Sequence, residues 1–447
     1  MKTIRDAVHG DLDFTADELA VIDTGTFQRL RQIKQLGATC LVYPSATHTR
    51  FEHSLGTCGV AKKMVSAIRR NCGDKAISTD DERLIGIYAL VHDITHIPFG
   101  HTIEDERRVF PRHDQNTGRI DHFLGKTEVG RVLEKLGVRH EVESLMKRKR
   151  LSADGPTYHY DIVSSTICAD LLDYLERDSY FTGLSQQYDE RLFKYFIIEN
   201  GALAINLIRG GLFRMDGLSE TLNVLRMRYV LSERVYYHPA KNAASAMISK
   251  ALELCIEAGK RRLSERSFYE VGDEGFLRIL ESGPAPARYL VEHFLARRLY
   301  KKAYLVSRRS LGSTERFSAY HLDAAKRAEA EKWLARKLAV PFRSVIVYCP
   351  SSAMQLREAN ALFKLTVAEP PRRLENNHEI EDLKHRQERL WKFLVFLDPA
   401  HAGKVAAAGR LCEEYFGQKN ELPGMAGVPE NGALEPRDTE PRKHETG

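Results

Sequence analysis

The apolar run Leu84-Ile85-Gly86-Ile87-Tyr88-Ala89-Leu90-Val91 ends on the charged doublet His92-Asp93. A run this hydrophobic predicts a buried helix. The following Ile94-Thr95-His96-Ile97-Pro98 predicts that the helical path soon stops, because a residue preceding proline avoids the helical region. A charged doublet at the inner end of a core helix is costly unless something binds it. His53 and Asp170 stand in two further helix-like segments. Two imidazoles and two carboxylates make a mixed nitrogen and oxygen donor set suited to Fe, Mn, Co, Ni, Zn or Mg, with positions left for water and substrate. A lone histidine in a helix is more often a satisfied core residue than a ligand, so a metal site is expected only of the four together.

The neighbours of these residues are also of catalytic type. Arg50 precedes His53 by three positions, which puts both on one face of a helix starting there and a guanidinium beside the metal. Asp170, Tyr174 and Asp178 fall at i, i+4 and i+8 with Arg177 adjacent. An amphipathic helix carrying an ordinary Arg–Asp pair would read the same way. His96, His101 and His113 are candidate proton donors, and Glu104 and Asp114 are the carboxylates that could orient or charge them. The spacing of His101 and Glu104 predicts an i, i+3 pair.

Three strings carry a family resemblance: His48-Thr49-Arg50-Phe51-Glu52-His53-Ser54-Leu55-Gly56, Leu90-Val91-His92-Asp93-Ile94-Thr95-His96-Ile97-Pro98-Phe99-Gly100-His101, and Asp170-Leu171-Leu172-Asp173-Tyr174-Leu175-Glu176-Arg177-Asp178. They resemble the H…HD…D signature of the HD-domain phosphohydrolases, in the branch that holds the dNTP triphosphohydrolases. That branch includes the animal enzymes that join a sterile-alpha-motif domain to an HD domain. The similarity runs from about residue 3 to about residue 416, with no sterile-alpha-motif domain expected in front.

The resemblance implies a mostly α fold, an HD-type helical catalytic core with a smaller C-terminal α+β lobe. It makes His53, His92, Asp93 and Asp170 the ligands of a divalent metal and places His96, His101, Glu104, His113 and Asp114 in the catalytic machinery. His101, oriented by Glu104, is the implied proton donor. Gln35 and Leu36 match positions at the sugar edge, Tyr174 and Asp178 match sugar contacts, and Tyr236 matches a residue near base and sugar. Arg50 and Arg228 match phosphate contacts. Asp23, Gln28 and Arg31 match residues that read guanine in an activating nucleotide site, although Asp23-Thr24 is also an ordinary helix N-cap region. Leu171 and Pro239 stand where the animal enzymes carry basic residues, and Thr95 and Ile97 replace glycines.

The implied reaction is hydrolysis of a dNTP, dGTP among them, in which water attacks the α-phosphorus and the nucleoside 5′-oxygen leaves. The products are deoxynucleoside and triphosphate. HD phosphohydrolysis of nucleoside monophosphates or single-stranded nucleic acid is the alternative, favoured by the lost basic residues. A non-catalytic nucleotide-binding regulator is a second alternative, opposed by the intact ligands and histidines. The expected partners are a deoxynucleotide substrate and copies of the same chain in a dimer or tetramer. An activating nucleotide and single-stranded nucleic acid are further candidates.

At 447 residues and 43% hydrophobic, the chain can bury a large core. It carries no signal peptide, no apolar run of membrane-spanning length and no lipidation motif, so it is expected in the cytoplasm with no membrane partner. Seven dispersed cysteines lack CxxC spacing, which argues against a disulfide framework or zinc ribbon. A net charge of +6 suits attraction of phosphates without demanding nucleic acid, and Lys147-Arg148-Lys149-Arg150 is expected to be a solvated turn.

Along the chain, residues 1–13 read as an extended segment with a turn at His9-Gly10-Asp11. A helix is expected from Thr24 or Thr26 to Gly37, and helical patterning from Ser54 to about residue 305. It includes helices over 163–177 and 218–258, the latter broken or kinked at Pro239. Residues 303–306, 344–348 and 391–396 read as strands around a charged helix over 321–337. The expected units are residues 1–300, a lobe over 301–418, and a disordered tail over 419–447.

Overall fold

A 23-residue helix, Arg50–Cys72, starts where Thr49 and Glu52 cap each other, the Thr49 amide donating to Glu52 Oε2 at 2.6 Å. It stops at Gly73, whose φ of +97° is one that side-chain-bearing residues avoid. That start sets Arg50 and His53 in the first turn. A computed structural model of the protein describes residues 1–422 except 114, 260–262, 352–353 and 376. Within it, Arg50–Cys72 packs against Thr79–Val91 and Ala169–Thr182, and these three helices deliver the four candidate ligands. Thr79–Val91 is capped by Ser78 and Asp81, and His92 occupies its C-cap position. Ala169–Thr182 closes on Gly183 in the left-handed conformation.

The fold is mostly helical with small sheets, as expected. Residues 1–14 form an antiparallel hairpin, Lys2–Asp6 with Gly10–Phe14. Pro239 breaks the long helical stretch: Met215–Leu231 ends in a π-turn over Ser232–Tyr236, and Pro239 takes the first turn of Pro239–Glu257.

Several local expectations are corrected. The helix after Thr24 is only Gly25–Gln28 followed by a 3₁₀ turn, Arg29–Gln32. It ends early because Ile33 and Gln35 are drawn into extended contacts, with the Arg50 amide donating to the Ile33 carbonyl and the Gln35 amide to the His48 carbonyl, both at 2.9 Å. The helix expected over 163–177 is two helices, Tyr158–Ser164 and Ala169–Thr182. Ser165, Thr166 and Ile167, polar-capping or β-branched residues, lie in the break. The helical stretch also contains strands Phe196–Glu199 and Ala202–Asn206, which pair antiparallel; Leu362–Lys364 adds in parallel to the second of them, so the later part of the chain reaches back into the core sheet across the expected boundary at residue 300. The tail expected from residue 419 is anchored at its start, where Asn420 Oδ1 accepts from the Leu305 amide at 3.1 Å and Glu421 Oε1 from the Ser307 amide at 2.6 Å. Its remainder lies outside the described residues.

In the C-terminal lobe, Lys301–Ser307, Lys392–Leu397 and Val345–Tyr348 form one antiparallel sheet with Lys392–Leu397 in the middle. Alternate residues face opposite ways. Leu305, Ile346, Tyr348, Leu394 and Phe396 join the large core, and Tyr304, Val306, Val347, Phe393 and Val395 join a second core with Trp391 and Phe416. Both faces are buried, which is why these strands read as nearly unbroken apolar runs. Among the described residues no helix is long and apolar enough to cross a membrane.

A buried ionic cluster joins the lobe to the core. Arg107 donates to Glu331 Oε1 at 2.9 Å, to Glu253 Oε2 at 2.9 Å and to the Val347 carbonyl at 3.0 Å, and Lys250 also pairs with Glu331. Burial alone would raise the Glu331 carboxyl, but Arg107 and Lys250 outweigh it and hold it at about 2, against an ordinary 4.5. A carboxyl depressed on folding contributes stability above its unfolded value and loses it as the pH falls from there through the folded value; here the contribution is about 3 kcal/mol. Resistance to chemical unfolding should therefore fall steadily between pH 5 and pH 2, and Glu331→Gln should flatten that slope. An unchanged slope would assign the acid sensitivity to other groups.

Candidate metal centre and active site

His53, His92, Asp93 and Asp170 converge. His53 Nε2 lies 3.1 Å from Asp170 Oδ1, 3.3 Å from His92 Nε2 and 3.6 Å from Asp93 Oδ2. His92 Nε2 is 3.7 Å from both Asp93 Oδ1 and Asp170 Oδ1. The other ring nitrogen of each histidine is tied back: His53 Nδ1 to Asp173 Oδ2 at 2.7 Å, and His92 Nδ1 to the Ala89 carbonyl at 2.7 Å. A histidine that donates from Nδ1 presents a lone pair at Nε2, the form in which imidazoles bind metals.

The donors fit a divalent cation on electrostatic grounds as well. Burial would lower the His53 imidazole, yet Asp170, Asp173 and Asp93 raise it to about 10, and His92 is raised by Asp93 and Asp170 in the same sense. Burial would likewise raise Asp170, but His53 and His92 hold it at about 2. Carboxylates that force protons onto buried imidazoles mark a place of strongly negative potential, where a cation can replace the protons. Asp93 has a second partner, Arg50 Nη1 at 2.5 Å.

A cluster of three histidines adjoins the donors. His96 Nε2 is 3.2 Å from Asp93 Oδ1, and the rings of His96 and His113 have centroids 3.6 Å apart. Burial, then Arg50 and His113, push His96 well below the ordinary histidine range, and its Nδ1 is buried without a partner among the described residues. Arg29 steadies this turn by donating to the carbonyls of Ile94 and His96 at 3.0 and 2.9 Å.

The expected His101–Glu104 pair does not form. Residues Thr102–Glu106 wind as a π-turn, whose larger number of residues per turn brings i+4 rather than i+3 beneath His101. His101 Nδ1 therefore meets Asp105 Oδ2 at 3.0 Å, while Glu104 turns inward, accepts from His113 Nδ1 at 2.8 Å and pairs with the buried Arg119. His101 is 52% exposed, with its ring centroid 5.1 Å from that of His96 and 5.4 Å from that of His113. Asp114 lies outside the described residues.

A second group of residues lines up beyond the donors. Asp178 accepts from Tyr236 Oη at 2.6 Å and contacts His48 Nε2 at 2.8 Å. The Arg228 guanidinium lies 5.7 Å from the centre of the Tyr174 ring and 5.0 Å from that of Tyr236. Its Nε donates to Glu358 Oε1 of the C-terminal lobe at 3.1 Å. Leu36 is half-buried, and Gln35, joined to His48 through its backbone, has a buried Oε1 without a partner among the described residues. Of the residues expected at an activating nucleotide site, Gln28 donates to the Ile22 carbonyl at 2.8 Å and Arg31 donates to Gln28 at 2.7 Å while lying over Phe51, whereas Asp23 is the exposed C-cap of the preceding helix. Sequence reasoning missed His48, Asp105, Arg119, Asp173 and Glu358. Of these, Asp105 and Asp173 had a local signal, their i, i+4 spacings to His101 and Arg177.

Two families match the chain, one described as HD domain over residues 50–178 and one as HD associated region over residues 212–421. An uncharacterised protein of Methanocaldococcus jannaschii is 34% identical over 333 residues, covering 72% of this chain and 64% of that protein. The deoxynucleoside triphosphate triphosphohydrolase SAMHD1 of Mus musculus is 27% identical over 354 residues, covering 67% of this chain and 54% of the mouse protein. The chain thus spans between about half and two thirds of the length of these relatives. A crystal structure of a hypothetical protein from Aquifex aeolicus shares the fold, with a TM-score of 0.66 at 22% identity over 91% of this chain and 99% of that one.

Proposed function

Since the chain belongs to the HD-domain phosphohydrolase family and is SAMHD1-like within it, we propose that it is a metal-dependent phosphohydrolase that cleaves dNTPs to deoxynucleoside and triphosphate. The observation that carries the reading is the convergence of four donors from three helices, with both histidine Nδ1 atoms tied back.

His53, His92, Asp93 and Asp170 would hold the cation, which when bound supplies Lewis-acid polarisation of a phosphoryl oxygen and lowers the pKa of water. Arg50 sits beside Asp93, where a guanidinium can stabilise charge developing on the phosphoryl oxygens. Water attacks the α-phosphorus, the bond from phosphorus to the nucleoside 5′-oxygen breaks, and that oxygen takes a proton from His101. His113, locked by Glu104, and neutral His96 present imidazole edges to the same space. Asp178, with His48 and Tyr236, offers acceptors for sugar hydroxyls, and Arg228 over Tyr174 and Tyr236 offers a cation at the far end. A homodimer or tetramer and an activating nucleotide at Asp23, Gln28 and Arg31 belong to the same reading.

One observation favours the alternative of a less charged substrate such as a nucleoside monophosphate: Arg228 is already paired with Glu358. Hydrolysis of each dNTP in water labelled with heavy oxygen separates the two. The expected result is label in triphosphate and none in the nucleoside. Orthophosphate or pyrophosphate as the first product would overturn the dNTP triphosphohydrolase reading.

A further inference from the structure

The tip of the N-terminal hairpin reaches the back of the metal centre. His9 Nε2 lies 2.7 Å from Asp173 Oδ1, across 164 positions of sequence, while Asp173 Oδ2 holds His53 Nδ1 at 2.7 Å. Arg177 grips the same carboxylate with its fork, Nε to Oδ2 and Nη2 to Oδ1, each at 2.9 Å. Its Nη1 extends to Asp6 Oδ2 at 2.9 Å. Asp6 Oδ1 in turn accepts from the Val8 and His9 amides at 2.9 Å each, which shapes the turn that carries His9. The contacts close a ring, Asp6 to Arg177 to Asp173 to His9 and back along the backbone to Asp6. Asp173 and Arg177 are fully buried. The space is reserved for them, since a Cβ on Gly56 would overlap Asp173 Oδ1 and Arg177 Nη2.

We infer that His9 is a positioning residue for the metal centre, acting through Asp173 to fix the orientation of His53. The inference rests on His53 being a metal ligand. A carboxylate held only by the Arg177 fork keeps unused acceptor capacity on Oδ1 and can tilt about the fork. His9 binds the oxygen opposite to the one that His53 uses, so the plane of the carboxylate, and with it the imidazole donating to Oδ2, is set from both sides. Contacts behind a ligand typically govern affinity by 10- to 100-fold. One step further out, the effect of His9 falls at the lower end, about tenfold.

The test is metal affinity of the full chain, freed of metal by a chelator and titrated with cobalt(II) alone, with the visible absorption of the bound ion as the signal and a competing chelator setting the scale. His9→Ala should weaken cobalt binding about tenfold. His9→Gln, whose amide nitrogen reaches the position of Nε2, should restore it, whereas His9→Asn, whose amide falls short, should not. A purely structural role for the hairpin tip would not separate Gln from Asn. If His9→Ala fails to fold, the comparison of those two decides. Cobalt binding as tight as the parent's in His9→Asn, or as weak in His9→Gln as in His9→Asn, would overturn the inference while leaving the metal centre standing. A parent protein that binds no cobalt would overturn the metal centre itself, and the role of His9 with it.

Discussion

An Asp170→Ala protein should purify folded, retain little divalent metal and hydrolyse the proposed dNTP substrate about a thousandfold more slowly, as expected when several kcal/mol of metal-derived stabilisation is removed at about 1.4 kcal/mol per factor of ten. Asp170 is the candidate ligand whose loss disturbs the fold least. It sits in the first turn of Ala169–Thr182, and its side chain is 33% exposed, whereas those of His53, His92 and Asp93 are nearly covered. Removing it leaves His53 and His92 with Nδ1 still tied back, so the pocket keeps its shape but loses a negative donor. His92→Ala combined with Asp93→Ala should lose metal as completely but cost stability too, because Arg50 would be left buried without its carboxylate. Metal analysis of the purified variants against turnover is the measurement. Unchanged metal content in Asp170→Ala would sink the ligand assignment.

His101→Ala should retain metal and nucleotide binding and lose roughly 10²- to 10⁴-fold in kcat, the usual share of general acid catalysis. His101 can exchange protons with solvent, being half exposed, and it is held in place by Asp105, whose other oxygen accepts from Arg112 at 2.7 Å. Burial would raise the Asp105 carboxyl, but His101 and Arg112 keep it below the usual carboxylate range, so it stays an acceptor for the imidazole. Asp105→Asn should then reduce turnover in the same direction as His101→Ala, and Glu104→Gln should act on His113 instead. His113→Ala should cost less than His101→Ala if His113 only steadies the phosphates. Parental turnover in His101→Ala would move the proton donor to another group, His113 first.

The sequence by itself determined the elements whose signals are local. The apolar run closing on His92-Asp93, the break at Pro239 and the strands around residues 303–306, 344–348 and 391–396 stand close to where periodicity and proline chemistry predict them. The four ligand-type residues could be picked out because a family pattern joined segments that spacing alone leaves separate. What surrounds them could not. The partner of His53 is Asp173, that of Asp173 is His9, that of Asp178 is His48 and that of Arg228 is Glu358, contacts spanning 120, 164, 130 and 130 positions. Periodicity reports which face a residue occupies, not what the facing element presents to it. The exchange of partners between His101 and Glu104 came from a π-turn in place of an α-helical one, and the early end of the helix after Thr24 from bonds to His48 and Arg50 that only the folded core supplies. Local preference is worth tenths of a kcal/mol per residue, whereas a buried polar group without a partner costs one to several, so tertiary contacts decide wherever the two disagree.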